Sequence, residues 1–201
     1  MSSEAPETRT RILKAALHLL ETSRGQTVRM SDIARKAGLS RQAVYLHFGT
    51  RAALLTATTL YLDELKDVRA RLVPSRTARS GVERLDAYVG AWADYIPEIR
   101  GVAKALMAMS DTDEEAAEAW RKRMEDMREG CAAAIEALRA DGTLSPDYTP
   151  GEATDLLWTL LSVRNWEHLT LERGYAQARY KDLLLRTARR LFVRAPSSAS
   201  Q

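Results

Sequence analysis

Arg41, Gln42, Tyr45, His47 and Arg51 crowd into one short stretch of the chain. Their side chains are donors of the kinds that read nucleic acid. An arginine fork can pair bidentately with guanine, and a glutamine amide with adenine. A tyrosine hydroxyl and an imidazole N–H suit phosphate oxygens, which fix register on a duplex without specifying sequence. The blander readings are Tyr45 packed on the next helix, His47 capping a helix end, and Arg41 or Gln42 turned to phosphate rather than to a base. Arg51 adds a positive charge just past Gly49 and Thr50. Arg29, Ser40, Ala43 and Leu46 border the set and complete the candidate DNA-contacting positions.

The elements that must position these residues follow from local pattern. Ser31 to Ala37 reads as a short helix with Ile33 and Ala34 inward, and Gly38 breaks it. Ser40 can cap a second helix, Arg41 to Phe48, by accepting from a free N–H in its first turn. Two short helices joined by a tight, Gly-containing turn form a helix-turn-helix. Its second helix enters the DNA major groove. Upstream, Ile12, Leu13, Ala16, Leu17, Leu19 and Leu20 recur at helical spacing between Glu7 and Ser23. That helix, ended by Arg24-Gly25-Gln26-Thr27, would close a three-helix head.

The stretch IARKAGLSRQAVYLHFGTRAALL resembles the signature of the tetracycline-repressor (TetR) family of bacterial regulators, whose usual form is roughly I-A-x-x-A-G-V-S-x-G-T-L-Y-x-H-F-x-x-K-x-x-L. Ile33, Ala34, Ala37, Gly38, Ser40, Tyr45, His47, Phe48 and Leu54 fall on it without gaps. Leu39 and Val44 depart mildly, Arg51 replaces a common Lys, and Gln42-Ala43 stands where Gly-Thr is frequent. The last departure lies on the recognition helix and bears on which operator is read. The resemblance implies a dimeric regulator whose body encloses an inducer pocket and whose last two helices pair with their copies.

Composition bounds the rest. The chain of 201 residues is 45% hydrophobic and 28% charged, a globular composition rich in helix formers. Residues 1–52 carry nine Lys or Arg against four Asp or Glu, and the remainder 21 against 23. A basic head on a slightly acidic body fits a DNA reader. No apolar run reaches the ~20 residues of a membrane span, and MSSEAPETRTR lacks the apolar core of a signal peptide. A single cysteine, Cys131, cannot make an internal disulfide, so a reducing cytoplasm is expected.

Beyond the head, Arg51 to Leu72 reads as one long helix, with Leu54, Leu55, Leu62, Leu65 and Val68 along one side, and Val73 to Arg79 as a loop holding Pro74. Ser80, Thr112 and Thr149 each precede an acid by three residues, a capping-box spacing. They open helices running to about Tyr95, Ala140 and Glu172. Pro97 forces a break or kink, Ile99 to Met109 is a further short helix, Thr143 to Tyr148 is a loop, and Ala176 to Val193 is the last helix. Residues 1–6 and the tail RAPSSASQ read as unstructured. Periodicity makes the fold class all-α, about nine helices in all, with a helix-turn-helix head (1–52) joined by a long helix to a helical body (53–201), for which the resemblance implies ligand binding and dimerisation.

The helix around Leu156 to Val163 is apolar on several faces, which calls for burial on several faces. Leu157, Leu161, Tyr180, Leu184 and Leu191 are the dimer candidates. Tyr88, Trp92, Tyr95, Met107, Met124, Met127, Trp158 and Trp166 are large, adaptable side chains that suit a pocket for a small hydrophobic or amphipathic molecule, or simply core. No cofactor or metal is expected, since His18, His47 and His168 are scattered and lack ligand-spaced partners. A catalytic reading finds no glycine-rich phosphate loop and no zinc or di-iron motif. A helical interaction protein whose head no longer reads DNA is the remaining class, and the donor set on the second helix argues against it. The working expectation is a repressor that binds a near-palindromic double-stranded operator and is released by a small inducer. An activator, or a regulator without ligand control, shares the same fold.

Overall fold

A computed structural model of the chain describes residues 4–23 and 26–195. Among these residues there are eleven α-helices and one π-helical turn. Strand pairing is confined to an isolated bridge between Leu144 and Val193. Arg24 and Gly25 of the expected turn, and most of the expected frayed tail, lie outside the described residues. The chain forms two compact units, one of residues 1–67 and 99–125, the other of residues 68–98 and 126–201. These units are a different partition from the functional division expected at residue 52.

In the first unit, α1 (Glu4–Thr22), α2 (Met30–Ala37), α3 (Arg41–Phe48) and α4 (Arg51–Leu65) share one core with the later parts of the chain that belong to it. Helix α1 begins at Glu4, so residues 4–6 are ordered, contrary to expectation. Ile12, Leu20, Ile33, Val44, Leu54 and Leu55 are essentially inaccessible, and Leu106, Met109, Ala116 and Ala119 join them. The turn after α2 is set by Gly38, whose φ of 65° is left-handed. There the Leu39 N–H reaches back to Ala34 O at 2.9 Å, satisfying a carbonyl the helix leaves open.

The long helix expected from Arg51 to Leu72 stops at Leu65. Asp67 adopts φ 49°, a conformation that a helix cannot contain. Two single-turn helices follow, α5 (Val68–Arg71) and α6 (Val73–Arg76), the second holding Pro74 in its first turn where a loop is expected. The apolar stripe fades at the same place, with Leu65 55% exposed.

Helix α7 (Gly81–Ser110) runs through Pro97 without breaking. Proline has no N–H for the carbonyl four residues back, which is that of Ala93. Gln177 supplies the missing donor, Nε2 to Ala93 O at 2.8 Å, and its Oε1 accepts from Trp166 Nε1 at 2.8 Å. Helix α8 (Glu114–Ala140) is capped by Asp113, not by Thr112, because the Asp113 carboxylate accepts from Ala116 N at 3.2 Å. Only Thr149 makes the complete expected box, with Glu152 returning to its N–H at 2.8 Å. At Ser80 the box is half made, since Glu83 turns to the Arg79 N–H at 2.9 Å.

The helix expected over Pro150 to Glu172 is divided. Helix α9 (Pro150–Leu160) ends, and Ser162 caps α10 (Val163–Glu167) by accepting from Asn165 N at 3.1 Å. Asn165 Nδ2 meanwhile closes the end of α9 on Thr159 O at 2.8 Å. A π-helical turn (His168–Glu172) follows, then α11 (Gln177–Phe192). Among the described residues no helix is long and apolar enough to cross a membrane.

Candidate nucleic-acid interface

Helix α3 exists because its ends are chemically marked. Ser40 sits in extended backbone and its hydroxyl accepts from Ala43 N at 3.1 Å. Gly49, at φ 69°, closes the helix by donating to Tyr45 O at 2.8 Å. Val44 and Phe48 are buried four residues apart and fix which face turns inward. Arg41, Gln42 and Leu46 are consequently exposed, while Ala43, Tyr45 and His47 are half-buried at the edges of that face.

Two rows run along the exposed face. In the first, Arg41 lies over the Tyr45 ring, 5.4 Å from its centroid, and donates from Nη2 to the Tyr45 hydroxyl at 3.3 Å. That bond holds the guanidinium above its ordinary pKa. Because the hydroxyl oxygen accepts from Arg41, its own proton remains available to an outside acceptor such as a phosphate oxygen. In the second row, Gln42 and Leu46 stand one turn apart. Gln42 has no side-chain partner among the described residues, and Leu46 is 82% exposed.

The neighbouring candidates fall into place unequally. Arg29 is exposed immediately before α2, its backbone N–H donating to Asp32 Oδ2 at 3.4 Å. The exposed Arg35 pairs with Asp32, and Lys36 beside it is a further exposed cation. His47 tilts at 48° against Phe48, whose ring is also covered by Arg9 from α1 at 4.8 Å.

Arg51 requires correction. It is not an added exposed charge but a buried one, with its side chain 8% exposed. Nε donates to Val28 O at 2.7 Å, and Nη1 reaches both Asp113 oxygens, at 2.8 and 2.6 Å. The Glu115 carboxylate accepts from the backbone N–H of Arg51 at 3.0 Å and of Ala52 at 3.3 Å. Met109 Sδ completes the enclosure, within 3.4 Å of Val28 N and 3.8 Å of Arg51 Nη2. The guanidinium and the first amides of α4 are thus committed within the protein. Locally, the acid three residues after Thr112, Glu115, marks only a helix start. The role that Asp113 and Glu115 play at Arg51, across 62 and 64 residues of chain, leaves no local signal.

In the second unit the candidate ligand residues are largely interior. Tyr88, Trp92 and Tyr95 form an edge-on ladder along α7, with centroids 6.3 and 5.6 Å apart. The Tyr88 hydroxyl donates to Met127 O at 3.0 Å. It can lie there because Gly130 has no side chain: a Cβ would sit 2.3 Å from that oxygen. Trp166 is buried and Trp158 half-buried in this unit, whereas Met107 and Met124 belong to the first unit. Trp158 Nε1 and Tyr180 Oη are buried and have no hydrogen-bond partner among the described residues. Burial pushes the Cys131 thiol up to about 12, far from the range of a reactive thiolate.

The dimer candidates also need correction. Leu157, Leu161, Tyr180 and Leu184 are at most 6% exposed within a single chain. They face its own core, because α9 and α11 bury those sides against their own unit. Leu191 is half-buried, and Leu156, 40% exposed, is the large apolar side chain that α9 leaves outward. No group of three or more His, Cys, Asp or Glu among the described residues could hold a metal ion.

The family described as bacterial regulatory proteins, tetR family, matches residues 12–58, which span the end of α1 through α3 into α4. The HTH-type transcriptional regulator UidR of Escherichia coli K12 is 25% identical over 184 residues, covering 88% of this chain and 91% of UidR. Among solved structures, a Saccharomonospora viridis transcriptional regulator in complex with choline superposes with a TM-score of 0.72 at 20% identity, over 94% of this chain and 100% of the other. NalD of Pseudomonas aeruginosa, the secondary repressor of the MexAB-OprM multidrug efflux pump, gives 0.67 at 24% identity, over 96% and 98%. Those two likenesses speak to fold. The matched head, the likeness to UidR along most of the chain and the donor face of α3 support a TetR-family bacterial transcriptional regulator, all-α and DNA-binding through its helix-turn-helix.

Proposed function

We propose that this regulator is a cytoplasmic repressor. In this reading it binds a near-palindromic operator as a dimer through the head of residues 1–52 and is released by a small hydrophobic or amphipathic molecule held in the body. The observation that carries the reading is the face of α3, where Arg41, Gln42, Tyr45 and Leu46 project from a helix anchored by Val44 and Phe48. Dimerisation matches the geometry of the motif, since two such helices about 34–36 Å apart meet successive major grooves. The repressor role of NalD supports the sign of the effect.

Ligand release is supported by a different feature. A buried donor without a partner costs free energy that an acceptor would recover. Trp158 Nε1 and Tyr180 Oη are two such donors in the second unit. An apolar molecule bearing an acceptor suits that environment, and the choline bound to the Saccharomonospora viridis regulator is a precedent for small-molecule occupancy in the fold. The ligand can shift the protein only by binding the DNA-free state more tightly than the DNA-bound one.

Footprinting of the purified protein on the DNA flanking its own gene, across a salt series, tests the proposal. A protected near-palindrome whose affinity falls steeply with salt is expected. The same operator then serves to screen small molecules for release. A ligand-free dimer that protects no DNA at any salt concentration would overturn the reading.

A further inference from the structure

Leu46 is the one large apolar side chain on the outward face of α3, and it is 82% exposed. Among the described residues little covers it, and water is a poor neighbour for it. Its surroundings narrow what could cover it. Gln42 lies four residues earlier on the same row, Ala43 lies three earlier, and the Arg41–Tyr45 pair borders that row. A bare apolar tip beside the donors of Arg41, Gln42 and Tyr45 does not suit an apolar protein groove, because the donors would be buried without acceptors, and a single leucine is too little apolar surface to hold a helix on a lipid bilayer. The DNA major groove offers acceptors and one apolar group, the C5-methyl of thymine.

From this arrangement we infer that Leu46 is a specificity-determining residue that reads a thymine methyl in each operator half-site, beside the base pair contacted by Gln42. The inference rests on the DNA-reading function proposed above and adds its sequence preference. The amide of Gln42 favours adenine through N6 and N7. Residues four apart on a helix stand side by side, about 5–6 Å between their Cβ atoms, so the leucine reaches the same or the adjoining pair. The Gln42–Leu46 row therefore favours A·T pairs, and the Arg41–Tyr45 row serves a guanine or the backbone.

The test uses the full-length protein. Binding sites are selected from duplexes with a randomised core, and thymines of the selected half-site are then replaced one at a time by deoxyuridine, which lacks only the methyl group. One position should weaken wild-type binding about fourfold, the effect of one buried carbon group, and the others should not. Leu46→Ala, on an exposed position, should fold normally, bind the thymine and uracil duplexes alike, and lose its preference for thymine at that position. Tight selected binding with no sensitive thymine would overturn the inference while leaving the DNA-reading function intact. So would a deoxyuridine penalty that survives in Leu46→Ala. Failure to select any sequence would overturn both.

Discussion

The starts of α3 and α4 are built alike and end up opposite. Each is capped by a hydroxyl that accepts from the N–H three residues on, Ser40 from Ala43 at 3.1 Å and Thr50 from Ala53 at 3.0 Å. Each helix opens on an arginine. Arg41 projects outward and, among the described residues, meets Tyr45 of its own helix, whereas the Arg51 guanidinium is enclosed by Val28, Met109 and Asp113. The first amides of α4 are taken by Glu115. The difference lies outside both helices: one arginine is met by a carboxylate from a distant part of the same unit and the other is not. An arginine at a helix start is therefore a site residue or a structural clamp according to what folds against it.

The largest effect should come from removing the clamp. Arg51→Ala leaves Asp113, with a side chain 15% exposed, without its main counter-charge. Breaking such a buried pair costs about 3–5 kcal/mol, read as a lower urea midpoint. Loss of DNA binding in this variant should be the same for every sequence. An Arg51→Ala protein as stable as wild type, but with a salt slope shallower by about one phosphate contact, would place Arg51 on DNA and end the contrast. A double-mutant cycle of Arg51→Met with Asp113→Asn, which keeps the cap acceptor of α8, should give a coupling of about 0.5–3 kcal/mol. A coupling near zero would mean that the clamp acts through packing alone.

Arg41→Ala should do the reverse. Operator affinity should fall by about 1–3 kcal/mol with relaxed preference at one base pair, if Arg41 reads guanine. A uniform loss across sequences would assign it to phosphate. The two caps provide an internal control, because they are local and equivalent. Ser40→Ala and Thr50→Ala should each cost about 1 kcal/mol in thermal or urea unfolding. The smallest effect is that of Arg41→Ala on stability, within about 0.5 kcal/mol as for exposed positions generally.

Much of this was legible from residue order because it is local. Helix ends marked by Ser40, Thr149 and Gly38 form where the sequence puts a side-chain acceptor or a left-handed residue within a turn of the orphaned backbone groups. The outward set on α3 follows from the inward spacing of Val44 and Phe48. Leu157, Leu161, Tyr180 and Leu184 misled for a related reason. Periodicity says that a face is apolar, but not whether its own unit or a second copy covers it.

Other features depended on partners far along the chain. Pro97 sits within a continuous α7 because Gln177 answers the carbonyl of Ala93, 84 residues away. Asp67 ends α4 through a backbone conformation that its residue type tolerates but does not announce. By itself, the sequence determined an all-helical chain with a DNA-reading head and the donors that head presents, since capping and helical periodicity act over a few residues. Only the tertiary structure decided which arginine stays outside, because burying a guanidinium requires a carboxylate and carbonyl brought together from elsewhere in the chain.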